Sequence, residues 1–152
     1  MAVVIILIAV VFCLDQLTKI VIPNLIASSP TGYVPVIKNI FRLTLVRNTG
    51  TAFGLLKNQT LFFIIISCIA ISGLFVLLKK TKGGLLLKTA LSLIISGALG
   101  NLIDRIRFGY VIDFFDFRIW PVFNVADSAI TIGTILLIFR LFLKTKTLSS
   151  KL

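Results

Sequence analysis

Residues Leu61 to Leu78 read Leu-Phe-Phe-Ile-Ile-Ile-Ser-Cys-Ile-Ala-Ile-Ser-Gly-Leu-Phe-Val-Leu-Leu, with no charge anywhere along the run. A helix of ~20 apolar residues crosses the ~30 Å of hydrocarbon in a bilayer, so this stretch predicts a membrane span. Three further segments of similar length lie outward from it. One runs from about Ala2 to Ile22, interrupted by Asp15 and Lys19; the others run from about Leu85 to Ile103 and from about Val122 to Leu143. Composition agrees. The chain has 152 residues, 58% hydrophobic and 14% charged, with a mean hydropathy of +1.10. A soluble domain carries about 25% charged residues. The length suits one integral membrane domain over residues 1–152, all-α in its spans, with no separate soluble domain. The first apolar run has no basic region before it and no clean small-residue cleavage site after it, so it reads as a retained span.

Four spans place both termini on one side. Lys and Arg number eight at each set of helix ends, counting Lys88 and Arg140 with the even ends and Lys19 and Arg105 with the odd ends. The count alone therefore leaves orientation open under the positive-inside rule. The turn from Lys79 to Lys88 is short and densely basic, which places the even ends, and both termini, in the cytoplasm. The net charge of +11 would suggest nucleic acid in a soluble protein. Here the cations border apolar spans, where their expected partners are anionic membrane lipids. Cys13 and Cys68 lie within apolar segments without metal-ligand or disulfide spacing, and read as buried small hydrophobes.

The connection over residues 23–60 is long for a simple loop. Pro23, Pro30, Gly32 and Pro35 break its first half. Ile40-Phe41-Arg42-Leu43-Thr44-Leu45 then alternates, with Phe41, Leu43 and Leu45 on one face, which predicts a half-buried strand. Asn48-Thr49-Gly50 reads as a turn. A small extended element is thus expected at the membrane surface.

Every carboxylate side chain in the sequence is an aspartate: Asp15, Asp104, Asp113, Asp116 and Asp127. All five fall at the odd ends of the spans, and an ionisable group near a bilayer is a functional candidate by default. There is no His, which removes Ser-His-Asp and Cys-His mechanisms and most zinc sites. Ser128, beside the acids, has no lysine near it in sequence for a Ser-Lys pair. Two aspartates sharing a proton remain, one activating a water while the other polarises a carbonyl. Asn124 and Asp127 share a face if helical; the plainer alternative is a helix cap, more for Asn124 than for Asp127. Asp113 and Asp116, set among aromatics, are not separable on this basis. Asp104-Arg105 can be a plain ion pair at a helix end. Asp15 and Lys19 can be an i,i+4 pair or the polar wall of a site. Ser96, Gly97, Ala98 and Gly100 offer a surface for close helix approach.

Five segments in order resemble the lipoprotein signal peptidases, the type II signal peptidases of bacteria. They are Asp15-Gln16-Leu17-Thr18-Lys19, Asn48-Thr49-Gly50-Thr51-Ala52-Phe53, Gly97-Ala98-Leu99-Gly100-Asn101-Leu102-Ile103-Asp104-Arg105, Val111-Ile112-Asp113-Phe114 and Phe123-Asn124-Val125-Ala126-Asp127. Thr51 stands where that family usually has Ala, and Ser96 where a Gly often precedes Gly97; both are small. The resemblance implies a four-helix membrane bundle with a small extracytoplasmic β-cradle. It implies an intramembrane aspartic endopeptidase whose catalytic pair is Asp113 and Asp127, with no metal or other cofactor. Asp15, Lys19, Asn48, Gly50, Asn101, Asp104, Arg105 and Asn124 are then expected to line or support the site, and Asp116 to stand apart. The implied substrate is a diacylglyceryl-modified prolipoprotein cut just before its lipidated Cys, in the bacterial cytoplasmic (inner) membrane. Arg105, Asn48, Asn101 and Asn124 are expected to hold its extended backbone. A monomer is expected, since nothing in the spans demands a partner. The competing readings are a small proton-coupled transporter or channel subunit, and a non-catalytic lipid-binding or assembly factor. Against the transporter, the acids cluster at one face and the second span has no charge along it.

Overall fold

A computed structural model of the chain describes residues 2–50, 58–81 and 84–149, with side chains as far as Lys144. Thr51, Ala52 and Phe53 of the second motif, Lys82 and Gly83 of the basic turn, and Lys151 lie outside the described residues. Four helices carry the spans: α1 (Ala2–Ala27), α2 (Thr60–Lys80), α3 (Leu85–Phe108) and α4 (Val125–Ser149). Each is long and apolar enough to cross a membrane. A three-stranded antiparallel sheet sits at their odd ends, with β1 (Tyr33–Ile37), β2 (Phe41–Asn48) and β3 (Val111–Asp116) in that order.

α3 is the central helix. Half of its most apolar window is buried within the protein, against 11% to 17% in the other three. It packs on α1, α2 and α4. Its small residues make this possible. A Cβ at Gly97 would run into the Ala126 carbonyl, and one at Gly100 into the Asp15 carboxylate. Small residues at such contacts let backbones approach closely where apolar burial cannot drive association in lipid. α3 ends at Gly109, whose left-handed φ of 81° and N–H to the Arg105 carbonyl close the helix.

Several sequence expectations change. α1 runs through Pro23 to Ala27. Proline costs one backbone donor, but here it lies in the closing turns. Asn24 Nδ2 donates to the Ile20 carbonyl at 3.0 Å, and Ser28 bonds Asn24 O through both its N–H and its hydroxyl. Pro35 lies within β1, an edge strand with an irregularity between Pro35 and Ile37, where a missing N–H is tolerated. β2 forms, but the predicted alternation fails. Phe41, Arg42, Leu43 and Thr44 are all partly buried while Leu45 is exposed. A register shift between Leu43 and Val46 interrupts the pleat and turns the later side chains. β3 fills the connection between the third and fourth spans, and α4 starts at Val125, not Val122, because Phe123 pairs with Phe115 first. Cys13 and Cys68 are exposed on the protein's surface. An apolar residue in a span is sheltered as well by lipid as by protein, so its polarity does not predict which way it faces.

Candidate active site

Two hairpin-like returns bring the acids together. β3 leaves α3 at Gly109 and pairs with β2, which sets Asp113 opposite Val46 and Asn48 opposite Val111. The chain then returns through Phe123, whose carbonyl accepts the N–H groups of Phe114 and Phe115 at 3.1 and 2.8 Å, and enters α4.

Asn124 caps α4. Its Oδ1 accepts the Asp127 N–H at 2.9 Å, and its own N–H donates to Asp127 Oδ2 at 3.2 Å. This is a reciprocal capping box with Asp in the third helical position. The Asn124 amide does more than cap. Its Nδ2 donates to Asp113 Oδ1 at 2.7 Å and approaches Asn101 Oδ1 and the Ile112 carbonyl at 3.1 and 3.2 Å. One side chain therefore ties Asp113 of β3 to Asp127 of α4. Asn48 Nδ2 holds the other Asp113 oxygen at 2.9 Å, and Asn101 Nδ2 holds Asp127 Oδ1 at 2.8 Å. Each carboxylate thus has both oxygens engaged by neutral amide donors, and among the described residues no cation lies within ion-pair distance of either. Burial pushes Asp113 up to about 7, and the Asp127 charge adds to this; the amides of Asn48 and Asn124 and the charge of Lys19 oppose it.

Behind the two acids lies a buried charge cluster. Lys19 Nζ is 2.9 Å from Asp15 and 2.8 Å from Asp104, and donates to Asn101 Oδ1 at 3.0 Å. All four residues are buried. Asp15 Oδ1 also accepts the Ala126 N–H at 2.9 Å, placing an anion at the amino end of α4, where the helix dipole favours it. Asp104 Oδ2 accepts the Ile112 N–H at 3.2 Å. The pairing of Asp15 with Lys19 and its place in the wall of the cluster are both present. Asp104 pairs with Lys19 across the bundle, not with its neighbour Arg105, because successive helical residues point to different faces.

Arg105 instead lies over the Phe63 ring at 4.9 Å and reaches the Gly50 carbonyl at 3.3 Å. Gly50 N–H in turn donates to Asn48 Oδ1 at 3.0 Å, closing the predicted turn. Asn48, Gly50, Asn101, Arg105, Asp113 and Asp127 border a cleft of about 180 Å³, with Phe63, Val111 and Val122 as its apolar walls. Asn124, Asp15, Lys19 and Asp104 stand behind it. The amides of Asn48, Asn101 and Asn124, expected to hold an incoming backbone, are engaged within the site, and Asn48 and Asn101 also border the cleft. Arg105 and the Gly50 turn border it too.

Asp116 is elsewhere. It faces Arg42 across the β2–β3 ladder at 2.6 Å and accepts the Arg118 N–H at 2.8 Å. Burial acts upward on it, yet the bonds from Arg42 and Arg118 and their charges together hold it below the ordinary carboxylate value. Gln16 was quoted only within a motif. Its Nε2 lies 3.2 Å from both Asp15 and Asp104 and 3.4 Å from the Gly100 carbonyl. An amide beside an acid inside an apolar span was the available signal. Phe63, Val111 and Val122 carry no such signal, since an apolar wall looks like any other apolar residue. Among the described residues, no three His, Cys, Asp or Glu side chains gather as a metal site.

Comparison with known proteins gives a consistent picture. A family model described as signal peptidase (SPase) II matches residues 7–143. The lipoprotein signal peptidase of Halothermothrix orenii is 48% identical, over 93% of this chain and 96% of its own. That of Clostridioides difficile is 46% identical, over 94% and 97%. A bacterial membrane enzyme solved by the in meso method at 2.3 Å resolution superposes with a TM-score of 0.87 and 36% identity, covering 97% of this chain and 92% of that one. A second, solved at 1.9 Å, gives a TM-score of 0.80 and 38% identity, covering 93% of each.

Proposed function

The chain belongs to the signal peptidase II family of membrane proteases, and from that premise we propose that it cleaves prolipoproteins with a water activated between Asp113 and Asp127. The observation that carries the mechanism is the Asn124 side chain, bonded to Asp113 and to the Asp127 N–H at once, with both carboxylates bordering one cleft. With Asp113 raised by burial and by the charge of Asp127 beside it, the two acids retain one proton between them near neutral pH. The titration belongs to the pair.

The ionised carboxylate takes a proton from water as the oxygen attacks the scissile carbonyl. The protonated one donates to the carbonyl oxygen as charge develops there. A tetrahedral diol forms; the C–N bond then breaks as the leaving amine takes a proton, and the pair returns to its starting state. Arg105 and the Gly50 turn are placed to meet the polar backbone of an extended substrate, which needs partners where water is scarce. The substrate's diacylglyceryl chains lie in the bilayer beside the helices, and the cut falls before the lipidated Cys. Membrane lipids surround a single working copy of the chain. The even helix ends and both termini face the cytoplasm of a bacterial inner membrane, and the cleft faces outward. Burial of Lys19 against two aspartates supports this orientation. It no longer counts as a surface charge, so the even ends lead by eight to seven.

The test is incubation of the purified protein with a diacylglyceryl-modified precursor and its unlipidated twin. Cleavage of the modified precursor alone is the expected result. Equal cleavage of both removes the lipid requirement, and proton flux in vesicles without cleavage returns the transporter reading.

A further inference from the structure

A second cleft, of about 280 Å³, opens at the tip of the sheet, away from the two acids. It lies between the β1–β2 turn and the segment after β3. Lys38, Arg42 and Arg118 line it, with Tyr33 at its side. The one carboxylate bonded to these cations is Asp116, which takes Arg42 Nε and the Arg118 N–H. Among the described residues, neither Lys38 nor the Arg118 guanidinium forms an ion pair. The Arg42 guanidinium lies 4.9 Å from the Tyr33 ring centre, which fixes the side chain at the cleft wall. Three cations against one acid leave this small concavity strongly positive.

Apolar residues adjoin it. Ile37 and Ile40 line the cleft and are 52% and 58% exposed; Ile119 and Trp120, which follow Arg118 in the chain, are 94% and 62% exposed. Such exposure of large apolar residues beside a cationic cleft is costly in water. The sheet, however, sits at the odd ends of four membrane-length helices. There Ile37, Ile40 and Ile119 can enter the bilayer interface, and Trp120 the interfacial belt that tryptophan favours. A cationic cleft ringed by apolar residues at a bilayer surface matches one ligand chemistry: a negatively charged phosphodiester attached to acyl chains.

We infer that the cleft bounded by Lys38, Arg42 and Arg118 binds the headgroup of an anionic phospholipid in the leaflet beneath the sheet. Arg42 and Tyr33 form its wall, while Lys38 and Arg118 supply the free positive charge. The occupied cleft ties the sheet to the bilayer at a point separate from the Asp113–Asp127 cleft. The inference rests on the four-span architecture and not on the peptidase reading, so either can fail without the other.

Trp120 is the single tryptophan of the sequence, two residues after Arg118, and so is the one indole that reports beside the cleft. The full-length protein is placed in bilayers doped with brominated phosphatidylglycerol or with brominated phosphatidylcholine, and its fluorescence quenching is compared. Phosphatidylglycerol is expected to quench the more strongly at equal content. Lys38→Gln and Arg118→Gln are each expected to lower that preference about fivefold, as for one basic residue at an anionic surface. Both side chains are exposed, and unchanged thermal unfolding of the variants confirms that they fold. Equal quenching by the two lipids, or a preference that survives both substitutions, overturns the inference. So does displacement of the quenching by inorganic phosphate alone, which assigns the cleft to free phosphate. If the double variant instead raises KM for the precursor in neutral detergent, with quenching indifferent to headgroup, the cleft holds the substrate's polypeptide and the lipid site is rejected.

Discussion

At one end of β3, Asp113 takes hydrogen bonds from Asn48 and Asn124, and burial pushes it up to about 7. Three residues along the same strand, Asp116 faces Arg42 at 2.6 Å and sits below the ordinary carboxylate value. Residues three apart on a strand point to opposite faces. One strand therefore separates two acids that the sequence sets in the same aromatic run. Amide donors hold a carboxylate in place without fixing its charge state; a guanidinium fixes both. The first arrangement is suited to proton transfer, the second to fastening a strand.

The largest expected contrast is in turnover. Asp113→Asn and Asp127→Asn should each lower single-turnover cleavage by about 10²–10⁴-fold, the usual range for a positioned acid or base, with the protein still inserted and folded. Asp116→Asn should stay within a few-fold. Comparable losses at Asp113 and Asp116 would erase the distinction.

Next in size is the cluster behind the pair. Lys19→Met strands Asp15 and Asp104 as buried acids without their cation. Breaking a buried ion pair from one side costs about 3–5 kcal/mol. Thermal unfolding in detergent should show a large loss of stability, and cleavage should fall as Asn101 loses the bond that presents its Nδ2 to Asp127. A variant with unchanged Tm would show that the cluster carries no strain when opened.

A smaller effect sharpens the assignment. Wild-type cleavage should decline as pH rises through about 7, where the pair loses its retained proton. The Asn48 bond lowers the Asp113 value, so Asn48→Ala should move that alkaline limb upward. A limb that stays fixed would separate Asn48 from the titrating group.

The smallest effect is on stability, and its sign differs between the two acids. Asp113 is raised in the fold, so its contribution is complete below its unfolded value of about 4 and is lost as pH rises through about 7. Asp116 is lowered, so its contribution is present above about 4 and is lost as pH falls through its folded value. Arg42 is a third exposed, which limits the Asp116 pair to about 1 kcal/mol or less. In plots of Tm against pH both variants should meet wild type in acid; Asp113→Asn should rise above it as pH passes through about 7, and Asp116→Asn should fall below it above about 4.

The spans were legible because a charge-free apolar run of membrane length has few other readings. The candidate site was legible in outline because a chain this apolar excludes acids nearly everywhere, and four of the five it keeps, Asp15, Asp104, Asp113 and Asp127, gather in or behind one cleft. The division of labour among those acids was less accessible. Asp113 and Asp116 have similar neighbours in sequence, and only the β2–β3 register brings Asn48 near one and Arg42 opposite the other. β3 carries only a short signal, six residues rich in Val, Ile and Phe after Gly109, and its neighbouring spans mask it. The internal bonding of Asn101 and Asn124 is not legible, because their partners, Lys19 and Asp113, come from other elements and no local pattern announces such contacts.

The Ala126 N–H at the start of α4 is satisfied by Asp15 of α1, 111 residues earlier. During synthesis the first helix enters the membrane with Asp15 and Lys19 long before Asp127 has been made. The half-built chain contains the charge cluster but lacks the carboxylate of α4, and Asn101 has nothing yet to orient. On the proposed mechanism, hydrolytic competence arrives only with the last helix, and a chain truncated before α4 should leave the modified precursor uncut.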